Sequence, residues 1–345
     1  MRASPNWLLI EDYENMPQLT MSQGINEAIR EEMRLQPDLI LLGQDIGAYG
    51  GTFGVYRGLY DEFGEDRVRD GPLCESATVG FAIGAAINGM RTVVELEFMD
   101  FISVAMDQVF NQAAKMHYFF GGQIKVPMVV RTPIVSRMGM GSQHSQSLEA
   151  WAMHSPGLKV AIPSNAYDAK GLMKTALHDQ NPVLFIENVR LYGSKSDVPE
   201  EEYSVPFGQA RVATTGTDLT IVGISGMVPE ALAAAEELAK HGLSAEVIDP
   251  RTLNPLDTKT IVESVLKTGR LLITHDAYRT CGVAAEISQR VIEEAFDYLN
   301  APVVRVTGLD VPVPAGNLQS LVVPSRNQLV NAALKMFGKP ETSPA

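Results

Sequence analysis

LTIVGISGMVPEALAAAEELAKHGLSAEVIDP (219–250) reads as strand, helix, strand. Its two ends are short apolar runs rich in β-branched residues, while its middle is built from Ala, Leu and Glu, which lose little rotamer freedom in a helix. Pro229 stands at an N1-like position and Gly242 at a C′-like one, marking a helix over PEALAAAEELAKHG. The alternation continues through the helix LDTKTIVESVLKTG (256–269), with Gly269 at its C′-like end, and RLLITHD (270–276). GVAAEISQRVIEEAFDYL (282–299), VVRVTG (303–308) and PSRNQLVNAALKMF (324–337) complete the set. Strands alternating with helices predict a compact α/β domain here.

The same rhythm runs upstream. TMSQGINEAIREEM (20–33) opens with a capping box, Thr20 with Gln23, and carries Ile25, Ala28, Ile29 and Met33 at helical spacing. LILL (39–42), TVVELEF (92–98), VPMVVRT (126–132), LKVAIP (158–163) and PVLFIE (182–187) are apolar strand candidates. ATVGFAIGAAI (77–87) and AYDAKGLMKTALHD (166–179) are helical stretches between them. Such strands predict a mostly parallel sheet with helices on both faces. GSKSDVPEEEYSVPFGQARVATTGT (193–217) breaks the rhythm with Gly, Pro and a Glu run. The expected division is an N-terminal extension (1–18), a first domain (19–200) and a second (201–345), in keeping with the length of 345 residues.

Composition narrows the class. With 28 Lys+Arg against 41 Asp+Glu the net charge is −13, which disfavours nucleic acid and anionic membrane surfaces. Apolar residues make up 45 %, enough for full cores. No run approaches the ~20 apolar residues of a membrane helix. The N-terminus has Glu11, Asp12 and Glu14 where a signal or transit peptide has none, so a cytoplasmic location is expected. Cys74 and Cys281 lie far apart without metal-ligand spacing and read as reduced thiols.

GxxxxGK[ST], GxSxG and HExxH are absent, and the six histidines are scattered. The segment from Gly47 to Gly58 lacks GxGxxG and reads as a surface turn. Gly80, Gly84 and Gly89 read as sites of close helix packing. Two positions carry possible chemistry. Glu75, in DGPLCESATVG, precedes a nearly all-apolar helix; it is either a carboxylate facing a helix N-terminus or one held for proton transfer. His144, in RTPIVSRMGMGSQHSQSLEAW, falls on a mobile loop after a buried strand, where α/β ligand sites form.

DGPLCESATVGFAIGAAINGMRTVVELEFMDF (70–101), MDQVFNQAAK (106–115) and GSQHSQSLEAW (141–151) resemble the β subunit of the decarboxylating component of 2-oxo acid dehydrogenase complexes. So do GLKVAIPSNAYDAKGL (157–172), VIDPRTLNPLD (247–257) and FDYLNAPVVRVTGLDVPVP (296–314). The resemblance spans about residues 19 to 338. It implies a pyrimidine-binding transketolase-like domain followed by a transketolase C-terminal domain, an α2β2 assembly and thiamine diphosphate. It implies further that Glu75 shares a proton with the pyrimidine N1′. Leu73 and Phe101 would line the ring, Phe101 stacking on it, and Glu97 would stand where relatives often have Gln or Met.

His144 would donate a proton as the acyl group passes to the lipoyl domain of a dihydrolipoyl acyltransferase core. A potassium ion would sit at Met128, Ala176, Leu177, Asp179 and Asn181. No GDG motif occurs, so Mg²⁺ and the diphosphate would be held mainly by an α subunit. The HSQSLEAW segment looks closer to pyruvate- and acetoin-type members than to branched-chain ones, leaving the substrate, a 2-oxo acid or acetoin, open. Alternatives are the C-terminal half of a split transketolase and a non-catalytic assembly subunit. The acidity, spread over both halves, would suit basic surfaces on the acyltransferase core.

Overall fold

The computed structural model describes residues 16–342; most of the expected N-terminal extension, residues 1–15, lies outside the described residues. A seven-stranded sheet runs in the order Thr252–Asn254, Lys159–Ala161, Val183–Asn188, Met128–Ile134, Arg91–Glu95, Leu39–Gly43, Val68–Asp70. Every neighbouring pair is parallel except the first. A five-stranded sheet follows the order Val304–Gly308, Leu271–Tyr278, Leu219–Gly223, Ala245–Asp249, Arg211–Thr214, antiparallel only at its last pair. The fold is therefore the expected α/β architecture of two parallel-dominated sheets. Leu39–Gly43 and Met128–Ile134 are buried along their whole length, which is why they read as continuous apolar runs.

Helices cover both faces of the larger sheet. On one face Met21–Leu35 packs on Ala166–His178. The capping box forms as expected: Thr20 N–H donates to Gln23 Oε1 (2.9 Å) and Gln23 N–H to Thr20 Oγ1 (3.3 Å). A Cβ at Gly24 would lie 2.9 Å from the Ala166 carbonyl oxygen, so only glycine permits this helix crossing. The buried ammonium groups of Lys170 and Lys174 reach Glu31 at 2.9 and 2.7 Å across it. On the other face lies Glu75–Ile87.

Several local expectations are corrected. The 227–240 helix starts at Met227, so Pro229 occupies its third position rather than its first. That N–H is also among the four without an intrahelical partner, so the proline costs no hydrogen bond there. Gly242 (φ +71°) follows the cap as expected, whereas Gly269 (φ +68°) is itself the C-cap. Stretch 193–217, read as a domain boundary, also holds two short strands: Lys195–Asp197 pairs with Gln18–Thr20, and Arg211–Thr214 forms the edge of the smaller sheet. Thr252–Asn254 returns from the second half of the chain to join the larger sheet. These strands are short, at edges and only partly buried or three residues long, so none has a distinct apolar run.

Buried ion pairs join the two halves. Asp168 receives Arg251 at 2.6 Å and Arg211 at 3.3 Å, and Arg211 also reaches Asp249 at 3.3 Å. His275 Nε2 lies 3.2 Å from Glu149 Oε1. Burial alone would lower the histidine's pKa, but Glu149 outweighs it and the net direction is upward.

Arg131, in the strand Met128–Ile134, is among the fully buried charges and lies level with Glu95 at the carboxyl end of the neighbouring strand. It forks onto Glu187, with Nε–Oε1 at 2.6 Å and Nη2–Oε2 at 2.5 Å, and Tyr192 donates to Glu187 Oε2 at 2.5 Å. Glu95, paired in register with Arg131, stays 3.9 Å from its Nη1. Burial, against the pull of Arg131 and with added pushes from Glu187 and Glu97, raises the Glu95 carboxyl to about 7. Between the ordinary carboxylate range and pH 7 the folded protein thus holds a proton that the unfolded chain has released. Stability from this group falls as pH rises through that window. Glu95→Gln removes the dependence. Its unfolding free energy should lie closest to that of wild type near pH 4 and exceed it at pH 8 by up to about 3 kcal/mol more, as followed by denaturant titration with circular dichroism. An equal offset at both pH values would show that Glu95 does not carry this proton.

Candidate active site

Glu75 is placed by a turn between the strand Val68–Asp70 and the helix Glu75–Ile87. Gly71 N–H donates to the Gly43 carbonyl (2.7 Å), and Cys74 N–H to that of Pro72 (2.7 Å). Thr78 closes the first helical turn on the Cys74 carbonyl through its N–H (3.0 Å) and its hydroxyl (3.1 Å). Glu75 is therefore the first helical residue, half-buried, in the turn where backbone N–H groups point outward. No described residue hydrogen-bonds its carboxylate. Leu73 is 82 % exposed, an unusual state for a leucine beside an apolar helix. Of the three glycines expected to permit close helix packing, Gly80 alone is approached, with Gln108 Oε1 at 3.4 Å from a Cβ there. Gly84 and Gly89 face open space in this chain.

Phe101 lies in the 3-10 turn Met99–Ser103, which follows the strand Arg91–Glu95. That turn is tied to the Glu75 helix: Ser76 hydroxyl donates to the Val104 carbonyl, and Val104 N–H to that of Phe101 (3.0 Å). His144 comes from a third segment and meets it. Its ring centroid is 5.3 Å from that of Phe101 and 4.8 Å from Phe98, both edge-on. Phe98 and Phe101 are 5.6 Å apart at 77°, so neither neighbour stacks flat on Phe101.

The His144 loop is anchored rather than free. Gly139 N–H donates to Gln319 Oε1 (2.5 Å), and Gly316 N–H to the Gly139 carbonyl (3.0 Å), both from the second domain. At its other end Gln146 donates to Asp100 Oδ1 through its side chain (2.8 Å) and N–H (3.3 Å). Asp100 is buried, and burial pushes its carboxyl up against the opposing pull of Gln146 and His144. Asp100 and Gln146 were missed by sequence reasoning. The signal available was an acidic residue inside the otherwise apolar FMDF (98–101).

The glycine-rich segment is more than a surface turn. Gly50, Gly51, Val55 and Tyr56 are buried, and Gly47 N–H is fixed by Asp70 Oδ1 (2.8 Å). Thr52 donates to Glu97 Oε1 (2.6 Å), and Phe53 packs edge-on against Phe98 at 5.8 Å. Gly51, at φ +83°, leaves just enough room that a Cβ would sit 3.1 Å from Glu95 Oε2. The segment thus roofs the turn that carries Glu97 and Phe101.

Of the positions expected to hold potassium, Ala176, Leu177, Asp179 and Asn181 lie at or just past the end of helix Ala166–His178, and Met128 begins the strand Met128–Ile134. The Leu177 and Asp179 carbonyls, however, each accept from Arg91 Nη1 (2.9 Å), and the Asp179 carboxylate pairs with Lys159. Asn181 N–H donates to Asp179 Oδ1 (2.9 Å). Positive charge is already supplied there by Arg91 and Lys159, so these residues do not present a free oxygen cage. Among the described residues no group of three or more His, Cys, Asp or Glu side chains could hold a metal ion. An aminopyrimidine does fit: Glu75 offers an unpartnered carboxylate, and Leu73 and Phe101 offer apolar surface on either side of it in sequence.

Residues 17–195 match the family model for the transketolase pyrimidine-binding domain, and 208–329 that for the transketolase C-terminal domain. The chain is 46 % identical to the β subunit of an acetoin:2,6-dichlorophenolindophenol oxidoreductase of Cupriavidus necator, over 92 % of this chain and 97 % of that one. It is 44 % identical to a mitochondrial pyruvate dehydrogenase E1 component subunit beta-2 of Oryza sativa (92 % and 85 %) and 42 % identical to the Bacillus subtilis pyruvate dehydrogenase E1 component subunit beta (93 % and 99 %). A solved structure described as a split-gene transketolase, inactive β4 tetramer, shares the fold with a TM-score of 0.77 at 21 % identity, covering 93 % of this chain and 98 % of that one. With both domains matched and this identity over nearly the whole length, the chain belongs to the β-subunit family of thiamine-diphosphate-dependent 2-oxo acid and acetoin dehydrogenases.

Proposed function

We propose that this chain supplies the pyrimidine-side half of an active site completed by an α subunit in an α2β2 assembly. The full enzyme cleaves a 2-oxo acid or acetoin oxidatively and passes the acyl group to the lipoyl domain of a dihydrolipoyl acyltransferase. The observation that carries this reading is the convergence of Glu75, Phe101 and His144 from three separate segments, joined through the Ser76–Val104 bond and the 5.3 Å ring contact. The domain division near residue 200 and a cytoplasmic location belong to the same proposal; among the described residues no helix is long and apolar enough to cross a membrane.

Thiamine diphosphate, when bound, supplies the electron sink needed to break a bond next to a carbonyl carbon. Glu75 holds a proton toward the pyrimidine ring. Leu73 and Phe101 exclude water from it, and Glu97 borders it. His144, held between Phe98 and Phe101 on a loop anchored at both ends, donates a proton during acyl transfer. Mg²⁺ and the diphosphate fall to the α subunit, since this chain has no GDG motif and, among its described residues, no group of three or more His, Cys, Asp or Glu that could hold a metal ion. The split-transketolase alternative has support from fold likeness alone, at 21 % identity. Retention of Glu75, Phe101 and His144 speaks against a silent assembly role.

Co-expression with an α subunit, followed by dye reduction with pyruvate, acetoin and branched-chain 2-oxo acids, tests the reading. The isolated chain should be inactive, and turnover by it alone would overturn the half-site assignment. Glu75→Gln should lose at least about 100-fold in kcat while still assembling, the scale of removing a general acid–base group. His144→Ala should slow transfer to the lipoyl domain more than it slows dye-linked turnover. Equal losses in both assays would remove the role given to His144.

A further inference from the structure

Glu97 presents a carboxylate at the mouth of this half-site, and the surroundings leave its charge uncompensated. It is half-buried, and its one described hydrogen bond is from the neutral Thr52 hydroxyl, at 2.6 Å. Thr52 is fixed in turn by the glycine-rich segment, whose next residue, Phe53, packs on Phe98 at 5.8 Å; Phe98 touches His144 at 4.8 Å. The carboxylate is therefore held on the same aromatic wall that carries His144 and Phe101. Arg131, register partner of the Glu95 that precedes this turn, is fully buried and forked onto Glu187, with Glu95 as its second neighbour. The buried Asp100, bonded to Gln146 of the His144 loop, and Glu75, in the first turn of the helix tied to the Phe101 turn, add further acidic groups. Arg137, on the loop before His144, is taken by Glu230 (3.3 Å) and the Pro324 carbonyl of the second domain. His144 is thus the only described side chain on the wall that can become positive.

We propose that Glu97, fixed by Thr52, is a specificity-determining residue that favours an uncharged α-hydroxyketone over an anionic 2-oxo acid. The inference rests on the reading of this chain as half of a dehydrogenase site and names the charge class of its substrate. A fixed carboxylate repels a substrate carboxylate a few ångströms away in a partly desolvated site, and repulsion at that range amounts to a tenfold or larger penalty. A neutral hydroxyketone meets no such penalty, and a carboxylate can accept its hydroxyl proton in a hydrogen bond. Glu97 acts on binding, so its effect falls on KM more than on kcat.

The test uses the assembled complex with its α subunit, thiamine diphosphate and Mg²⁺. Pyruvate and acetoin are compared by kcat/KM, and oxamate, an anionic isostere of pyruvate, is titrated calorimetrically. Glu97→Gln and Glu97→Met both remove the charge at similar length. Each should raise the pyruvate-to-acetoin ratio of kcat/KM by about tenfold, mainly through the KM for pyruvate, and tighten oxamate by a similar factor. Glu97→Asp, which keeps the charge, should leave the ratio near that of wild type. A ratio and an oxamate affinity that stay within twofold of wild type in both neutral variants would overturn the proposal. If the wild-type complex turned over neither substrate, the dehydrogenase reading would fail separately, and the oxamate titration would still decide the role of Glu97.

Discussion

A guanidinium buried near the carboxyl ends of parallel strands governs this half-site. Arg131 cannot be left uncompensated in the interior, because an isolated buried charge costs far more than a fold can spare. Its compensation fixes the neighbouring strands in place: Glu95 is its register partner on one side and Glu187, from the strand Val183–Asn188, its bidentate partner. Tyr192 closes the far side through Glu187, and the Tyr56 ring lies 4.8 Å from the guanidinium carbon. Tyr56 belongs to the glycine-rich segment, so that segment is drawn down onto the strand ends. Its Thr52 and Phe53 are thereby placed against Glu97 and Phe98. A buried network of this kind adds little net stability, but it admits few alternative arrangements, and positional definition is what a site needs.

The second domain bears no side chain assigned to the chemistry, yet the site depends on it. Ser136 donates to Asp276 at 2.5 Å, and Gln319 and Gly316 hold Gly139. These contacts fix the base of the His144 loop from outside the first domain, while Asp100 fixes its tip from inside. The histidine is positioned by both domains at once. Loosening of the interface would then reach His144 before it reached Glu75, whose turn is built wholly from the first domain.

What could be read from the sequence follows the range of the forces involved. Buried parallel strands and amphipathic helices repeat a local pattern, so LILL, VPMVVRT and the 219–250 unit were legible, as was the Thr20–Gln23 capping box. Glu75 and His144 stood out because a charged or titratable residue interrupted an apolar or small-residue context. The edge strand Arg211–Thr214 and the return of Thr252–Asn254 to the larger sheet depend on pairing with residues far away in sequence, which leaves no periodic trace. The same holds for Asp100 with Gln146, and for Gln319 with Gly139. The glycine-rich segment was misjudged for a related reason: its glycines signal backbone freedom, but only the buried charge beneath explains why it folds inward.

The half-site is complete in everything that requires packing and incomplete in what requires a counter-surface. Phe98, Phe101 and His144 brace one another, and the Glu75 turn is hydrogen-bonded throughout, so these groups need no partner to be placed. Leu73 and the Glu75 carboxylate are different, since one is an apolar side chain left to water and the other a carboxylate with no described hydrogen-bond partner. On the proposed reading both are satisfied only when an α subunit and the pyrimidine ring cover them together: the leucine gains apolar contact, and the carboxylate exchanges water for a ring nitrogen. Water is excluded in the same act. A chain that carried out this chemistry alone would have to cover Leu73 with its own residues, and the described residues leave it exposed. On that reading the division of labour between two chains is written in Leu73, which this fold leaves 82 % exposed beside the Glu75 carboxylate.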